Sequence, residues 1–104
     1  MVKRYQVRMV LRAAQDIHEI CSYIERDSPQ NAAAVAQALL DSIDSLGLLP
    51  HRFRVHEHRT DPAKTVHAMP VSPFIVYYRV LERNDVVEVI TVRHGARRQP
   101  RRIR

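Results

Sequence analysis

Two apolar stripes at helical spacing stand back to back in the first half of this 104-residue chain, and past Pro50 the period changes. Ala13, Ile17, Ile20, Cys21 and Ile24 fall at i, i+4, i+7, i+8 and i+11, one face of an amphipathic helix over residues 13–26. Arg12, Asp16, Glu19, Glu25 and Arg26 take the wet side of that helix. Ser28-Pro29 is a start signal for a second helix: a serine hydroxyl accepts bonds from orphan amides, and proline suits the first helical position. Ala32, Val35, Ala36, Leu39, Leu40, Ile43 and Leu46 then form the second stripe, which predicts a helix over residues 29–47. Gly47 is its expected left-handed cap, with Pro50 just beyond. So short a link forces an antiparallel helical hairpin, and the alanines of the second stripe permit close approach.

The rest of the chain reads as strands. Residues 5–11 alternate loosely, 66–71 form a short strand despite Pro70, and 74–81 are apolar on both faces apart from Arg79. Residues 82–85 supply a hairpin loop and 86–94 the last strand, while 51–65 are polar and irregular with a turn at Asp61-Pro62. The fold class is therefore α+β, in the order β-α-α-β-β-β, a helical hairpin packed on a mainly antiparallel four-stranded sheet. One domain over residues 1–98, followed by a basic tail over 99–104, is the expected organisation, since this length supports one core. No apolar run reaches the length of a membrane span, and no secretory signal is evident at the N-terminus. Cys21 is the only cysteine, so no internal disulfide exists; the expectation is a small hydrophobe in a cytoplasmic protein.

Charge is distributed unevenly. Through Val92 eleven Lys and Arg balance eleven Asp and Glu, and residues 93–104 carry six Arg and no acid, so the whole net charge of +6 sits at the end. Such a segment suits phosphates or an acidic protein surface, or merely solubility. With only Gly47 and Gly95 there is no glycine-rich phosphate loop, and no serine has a nucleophile-elbow context. His56 and His58 could share a strand face, yet no cysteine or carboxylate cluster completes a metal site, and neither metal nor cofactor is expected. By alternation Arg79 shares a face with Ile75, Tyr77 and Leu81, where its guanidinium either pairs with a carboxylate or opens onto a groove; the pairing is the expectation. His94 and Arg97 lie where the last strand ends and the chain turns at Gly95.

These residues resemble a known family. Ala13, Asp16, Ile17, Ile20, Tyr23 and Ile24 stand at the spacing of its first helix, and Pro29, Ala32, Leu39, Ile43, Leu46 and Pro50 follow its second. PFIVYYRV at 73–80 and the strand end Val92-Arg93-His94-Gly95-Ala96-Arg97 complete a match from Tyr5 to Arg98 with the RelE/ParE toxins of type II toxin–antitoxin systems. RelE-like members are ribosome-dependent ribonucleases with an arginine after the aromatic at position 74 and, in the type member, a tyrosine near the C-terminus. Here Ile75 follows Phe74 and no tyrosine occurs after Tyr78. The resemblance therefore implies a ParE-like toxin that inhibits DNA gyrase by binding and is neutralised by a cognate, ParD-like antitoxin. His94, Arg97, Arg98, Arg101 and Arg102 are the implied target-binding residues, with phosphate contacts to gyrase-bound DNA. If the chain were a ribonuclease, His94, Arg79 and Arg97 would be its catalytic set, histidine serving in other members. A plain nucleic-acid-binding module is a third possibility, disfavoured because the aromatic residues fall mostly in predicted core elements. One departure is Phe53-Arg54, where the family usually carries a Gly-Arg pair.

Overall fold

The computed structural model describes residues 2–95, so the arginines from Arg97 onward lie outside the described residues. Strand β1 (Gln6–Met9) leads into helices α1 (Leu11–Glu25) and α2 (Pro29–Asp44), then strands β2 (Val55–Glu57), β3 (Val66–Val71), β4 (Phe74–Leu81) and β5 (Val86–His94). The strands form one sheet in the order β1-β5-β4-β3-β2. Every pairing is antiparallel except that of β1 with β5. The hairpin covers one face, where Ala13, Ile17, Leu39, Ile43 and Leu46 pack on Met69, Phe74, Val76, Tyr78, Val80, Val87, Val89 and Val92. A smaller cluster of Val66, Ala68, Tyr77 and Ile90 occupies the opposite face, and the 3₁₀ turn Pro62–Lys64 packs against β4. Cys21 lies half-buried against the main core, and burial, with Glu25 nearby, pushes its thiol pKa up.

The α+β class and the hairpin on a mainly antiparallel sheet are as expected, but the sheet has five strands. The additional strand, β2, comes from the polar stretch read as irregular. It is pinned by its register against β3 and by the Ala68 amide donating to the Arg54 carbonyl at 3.0 Å. Ser28 caps α2 as expected, its hydroxyl accepting from the Asn31 amide at 3.1 Å. The end of α2 differs. Neither glycine has a positive φ; the left-handed residue is Leu49, at φ 49°. Gly47 serves instead for close approach, because a Cβ there would lie 3.1 Å from the Tyr5 carbonyl oxygen. That contact accompanies a 2.8 Å bond from the Tyr5 amide to the Gly47 carbonyl, which sets β1 beside the helix end. The turn beyond α2 is tied by Arg52, whose guanidinium donates to the Leu48 and Leu49 carbonyls and to the Ser45 hydroxyl.

The loop after α2 is held from beneath. Tyr78 donates its buried hydroxyl to the Pro50 carbonyl at 2.5 Å. His67 stacks on Tyr78 with centroids 5.2 Å apart, and its Nδ1 lies 3.2 Å from the Phe53 carbonyl. At the rim Glu82 accepts from Tyr5 (2.9 Å) and Lys3 (3.2 Å) and lies 2.5 Å from His51. The His51 contact, with Tyr5 and Lys3 behind it, holds the Glu82 carboxyl at about 2.

Asp16 was placed on the wet side of α1 by its polarity, and the structure puts it against the sheet. Between Tyr77↔Thr91 and Tyr78↔Val89 the β4–β5 register slips by one residue, so β5 bulges at Ile90. Asp16 closes that bulge, accepting from the Thr91 hydroxyl at 2.5 Å and the Val92 amide at 3.1 Å, with Arg12 at 3.5 Å. Replacing Asp16 by Ala strands both donors and should cost about 1.5–3 kcal/mol. In a domain this small that is a melting-temperature drop of roughly 4–8 °C per kcal/mol. Thr91→Val, which leaves the amide bond intact, should cost clearly less in the same thermal melts.

A pH dependence follows from His67. Burial depresses its pKa below 6.5, with His51 adding to the effect and the Phe53 carbonyl opposing it. A depressed imidazole stabilises the fold at pH above 6.5, and that contribution is lost as pH falls through the folded value. Glu82, also depressed, acts in a lower window, from its ordinary 4.5 down to about 2. Urea midpoints measured from pH 8 to 5 should therefore fall on the acid side in the wild type. The His67→Phe variant should flatten that limb.

Candidate functional site

The outer flank of α1 does not close onto the ends of β4 and β5. Ile20, Tyr23 and Ile24 form one wall of the resulting open groove, Pro73 and Phe74 the other, and Thr91 to His94 its floor; its volume is about 650 Å³. Arg12, Asp16 and Glu19 bring charges of both signs to the same cleft. Tyr23 is 71 % exposed at the rim, with the Arg26 guanidinium 6.0 Å from its ring centroid. His94 pairs across the strands with Phe74 and meets its ring edge-on at 5.5 Å. Just beyond His94 the Gly95 amide donates to the Pro73 carbonyl at 2.7 Å. A Cβ at Gly95 would sit 3.1 Å from that oxygen, so the glycine there answers to close approach.

The opposite face of the sheet has a different chemistry. By register Arg93 lies across from Ile75, and Val66, Arg79, Glu88 and Arg8 form one row across β3, β4, β5 and β1. Glu88 is bonded by Arg8, at 2.9 Å, rather than by Arg79. Arg79 makes no ion pair among the described residues, and the carboxylate partner expected for it is absent there. The Nε atoms of Arg79 and Arg93 are both buried without a hydrogen-bond partner among the described residues. Between them stands Tyr77, 1 % exposed, with the His56 ring edge-on at 4.8 Å. Burial raises the Tyr77 pKa, and the charges of Arg93 and Arg54 pull it back.

The residues singled out from sequence are thus separated. His94 belongs to the groove beside α1, whereas Arg79 lies on the face turned away from the hairpin. Arg97, Arg98, Arg101 and Arg102 fall outside the described residues. His58 is exposed and His56 packs on Tyr77, and among the described residues no three His, Cys, Asp or Glu side chains gather as metal ligands. Sequence reasoning missed the groove residues Tyr23, Phe74 and Thr91, and the association of Arg93 with Arg79. Simple alternation places Arg93 opposite in face to Ile90; the bulge reverses that parity.

Among known proteins, the family model described as the ParE toxin of the type II toxin–antitoxin system parDE matches residues 7–99. A Sinorhizobium fredii protein named "Putative toxin Y4kP" is 30% identical over 101 residues, covering 95% of this chain and 97% of that protein. Two solved structures share the fold. The chromosomal ParDE toxin–antitoxin system from P. aeruginosa superposes with a TM-score of 0.68 at 16% identity, covering 88% of this chain and 97% of that one. The archaeal RelE–RelB complex from Pyrococcus horikoshii OT3 gives a TM-score of 0.66 at 16% identity, covering 91% and 99%.

Proposed function

The chain belongs to the ParE toxin family of type II toxin–antitoxin systems, and from that premise we propose that it inhibits DNA gyrase by binding, without hydrolysing anything itself. The observation that carries this reading is the separation of His94 from Arg79. RNA cleavage needs a base for the 2′-hydroxyl, an acid for the leaving oxygen and cations on the phosphate, all converging on one atom. His94 and Arg79 sit on opposite faces of the sheet, and Ile75 stands where RelE-like members carry an arginine. His94, Arg97, Arg98, Arg101 and Arg102 are the proposed target contacts, in the cytoplasm where gyrase works. No described helix is long and apolar enough to cross a membrane.

The neutralising partner in this reading is a cognate, ParD-like antitoxin, and the groove beside α1 is its proposed seat. An exposed tyrosine beside Ile20, Ile24 and Phe74 is the kind of surface that anchors a partner side chain. Solved relatives of this fold are toxin–antitoxin assemblies.

Two experiments test the reading. Plasmid supercoiling by purified gyrase should be inhibited in proportion to added toxin, and His94→Gln should lose at most a contact worth about 1–3 kcal/mol. A ribonuclease relying on that imidazole would instead lose about 10²–10⁴-fold in rate. Ribosome-dependent cleavage of messenger RNA, abolished in His94→Gln, would therefore overturn the gyrase assignment. For the partner, Tyr23→Ala should weaken toxin–antitoxin binding by about 2 kcal/mol or more in calorimetry. A change near zero would move the antitoxin elsewhere.

A further inference from the structure

We infer that residues 49–53 form an acid-operated latch: a second proton on the His67 ring lifts this loop, and the strand β2 that follows it, off the sheet while the hairpin and the β4–β5 pair stay folded. The inference goes beyond the binding reading above and does not depend on which macromolecule the toxin meets. Its basis is how the loop is held. Leu49 stands in the left-handed region, at φ 49° and ψ 55°, with its side chain exposed. A leucine there is strained by its own Cβ, and its side chain gains no burial to offset the strain. The sheet holds the loop at two buried points. Tyr78 donates its hydroxyl to the Pro50 carbonyl, and His67 Nδ1 lies 3.2 Å from the Phe53 carbonyl. The Arg52 guanidinium bonds only Ser45 and the loop's own carbonyls, so it stiffens the loop without tying it to the sheet.

A carbonyl only accepts, so Nδ1 carries the hydrogen of the neutral His67 ring and Nε2 takes the second proton. The ring is badly placed to carry that charge. It is buried, stacked on Tyr78, and meets the His51 ring edge-on at 5.7 Å. From the turn Pro50–Arg52 it is faced by His51, with Arg52 near enough to act on Tyr78. From β4 it is faced by the Tyr78 phenol, which burial keeps neutral, and from β2 by its register partner Val55. Glu57 of β2 lies across from Val66 on the other face and is bonded by Arg59. Helix α2 packs here through Leu39 and Ile43, while its Asp41 and Asp44 line the flank beside β1. Glu82, the carboxylate behind His51, is taken by His51, Tyr5 and Lys3. Among the described residues a cation at His67 thus meets no free counter-charge, and burial and His51 both oppose its protonation. In water the same ring charges freely. Opening the loop accommodates the proton and relaxes Leu49 in one step.

Amide hydrogen exchange of the full chain tests the latch, followed residue by residue by NMR at acid and neutral pH and corrected for the intrinsic rate at each pH. The Arg52 amide, bonded to the Leu49 carbonyl, and the Ala68 amide, bonded to the Arg54 carbonyl, report on the loop and on β2. The Val10 and Val92 amides report on the rest of the sheet. The closed loop is favoured above pH 6.5 and loses ground as pH falls from there toward the lower folded value of His67. Protection of Arg52 and Ala68 should therefore drop about tenfold per pH unit in that window. Both should exchange well ahead of Val10 and Val92 and with little dependence on added urea, the mark of a local opening. His67→Phe keeps a ring on Tyr78 and should abolish the pH dependence. Leu49→Gly removes the strain and should slow exchange at Arg52 roughly threefold or more at every pH, with the pH slope unchanged. Protection that stays flat on acidification would overturn the latch, as would loop amides sharing the rates and urea slope of Val10 and Val92. So would an unchanged rate in Leu49→Gly, or a pH slope that survives His67→Phe and disappears in His51→Gln.

Discussion

Asp16 is the fastening on which the arrangement of this toxin depends. A one-residue bulge in β5 exposes an amide and a hydroxyl toward α1, and a single carboxylate accepts from both. Its side chain is 15 % exposed, so both bonds form in a medium much less polar than water. With that point fixed, α1 lies over β5 at a set height and the hairpin covers Val76, Tyr78 and Val89. The far flank of α1 is held away from Phe74 and His94, and the groove is the space left over. The same bulge reverses the facing of β5 beyond Ile90 and so brings Arg93 to the side of Arg79. One local irregularity therefore shapes both surfaces with a claim to function.

Those surfaces differ in kind. The groove combines an exposed aromatic, aliphatic walls and charges of both signs, which suits a folded or folding protein segment. The opposite face offers cations whose carboxylate partners are taken. A sheet covered on one side by two helices leaves room for two such faces on one small domain.

Much of this was legible in the sequence, and what escaped has identifiable causes. The hairpin followed from the 3.6-residue period and the Ser28-Pro29 start, and β3, β4 and β5 from apolar runs set between turns. Strand β2 escaped because three residues, one apolar, carry no periodic signal; it exists through pairing with β3. Residue type points to Gly47 as the left-handed cap, and the structure differs there. Leu49 adopts that conformation, and Gly47 is small for the sake of the Tyr5 carbonyl. Asp16 was assigned to solvent by residue type, since a bulge is a property of a strand pair and leaves no mark on either strand alone. For the site, the alternation that put Arg79 with Ile75 and Tyr77 was sound. That His94 stands on the other face required the register of β4 with β5.

The place of β5 within the sheet also bears on when the protein acquires its working surfaces. It lies between β1 and β4, so the earliest strand synthesised finds its neighbour only when the latest has emerged. At translation speeds of about 5–20 residues per second, the hairpin is complete seconds before β5 exists. Until then β1 is unpaired, Asp16 has no bulge to close, and neither face of the sheet is assembled. Pairing across nearly the whole chain makes activity a late event in the life of the polypeptide. A nascent chain thus lacks both surfaces for most of its synthesis, a delay written into the order of its strands.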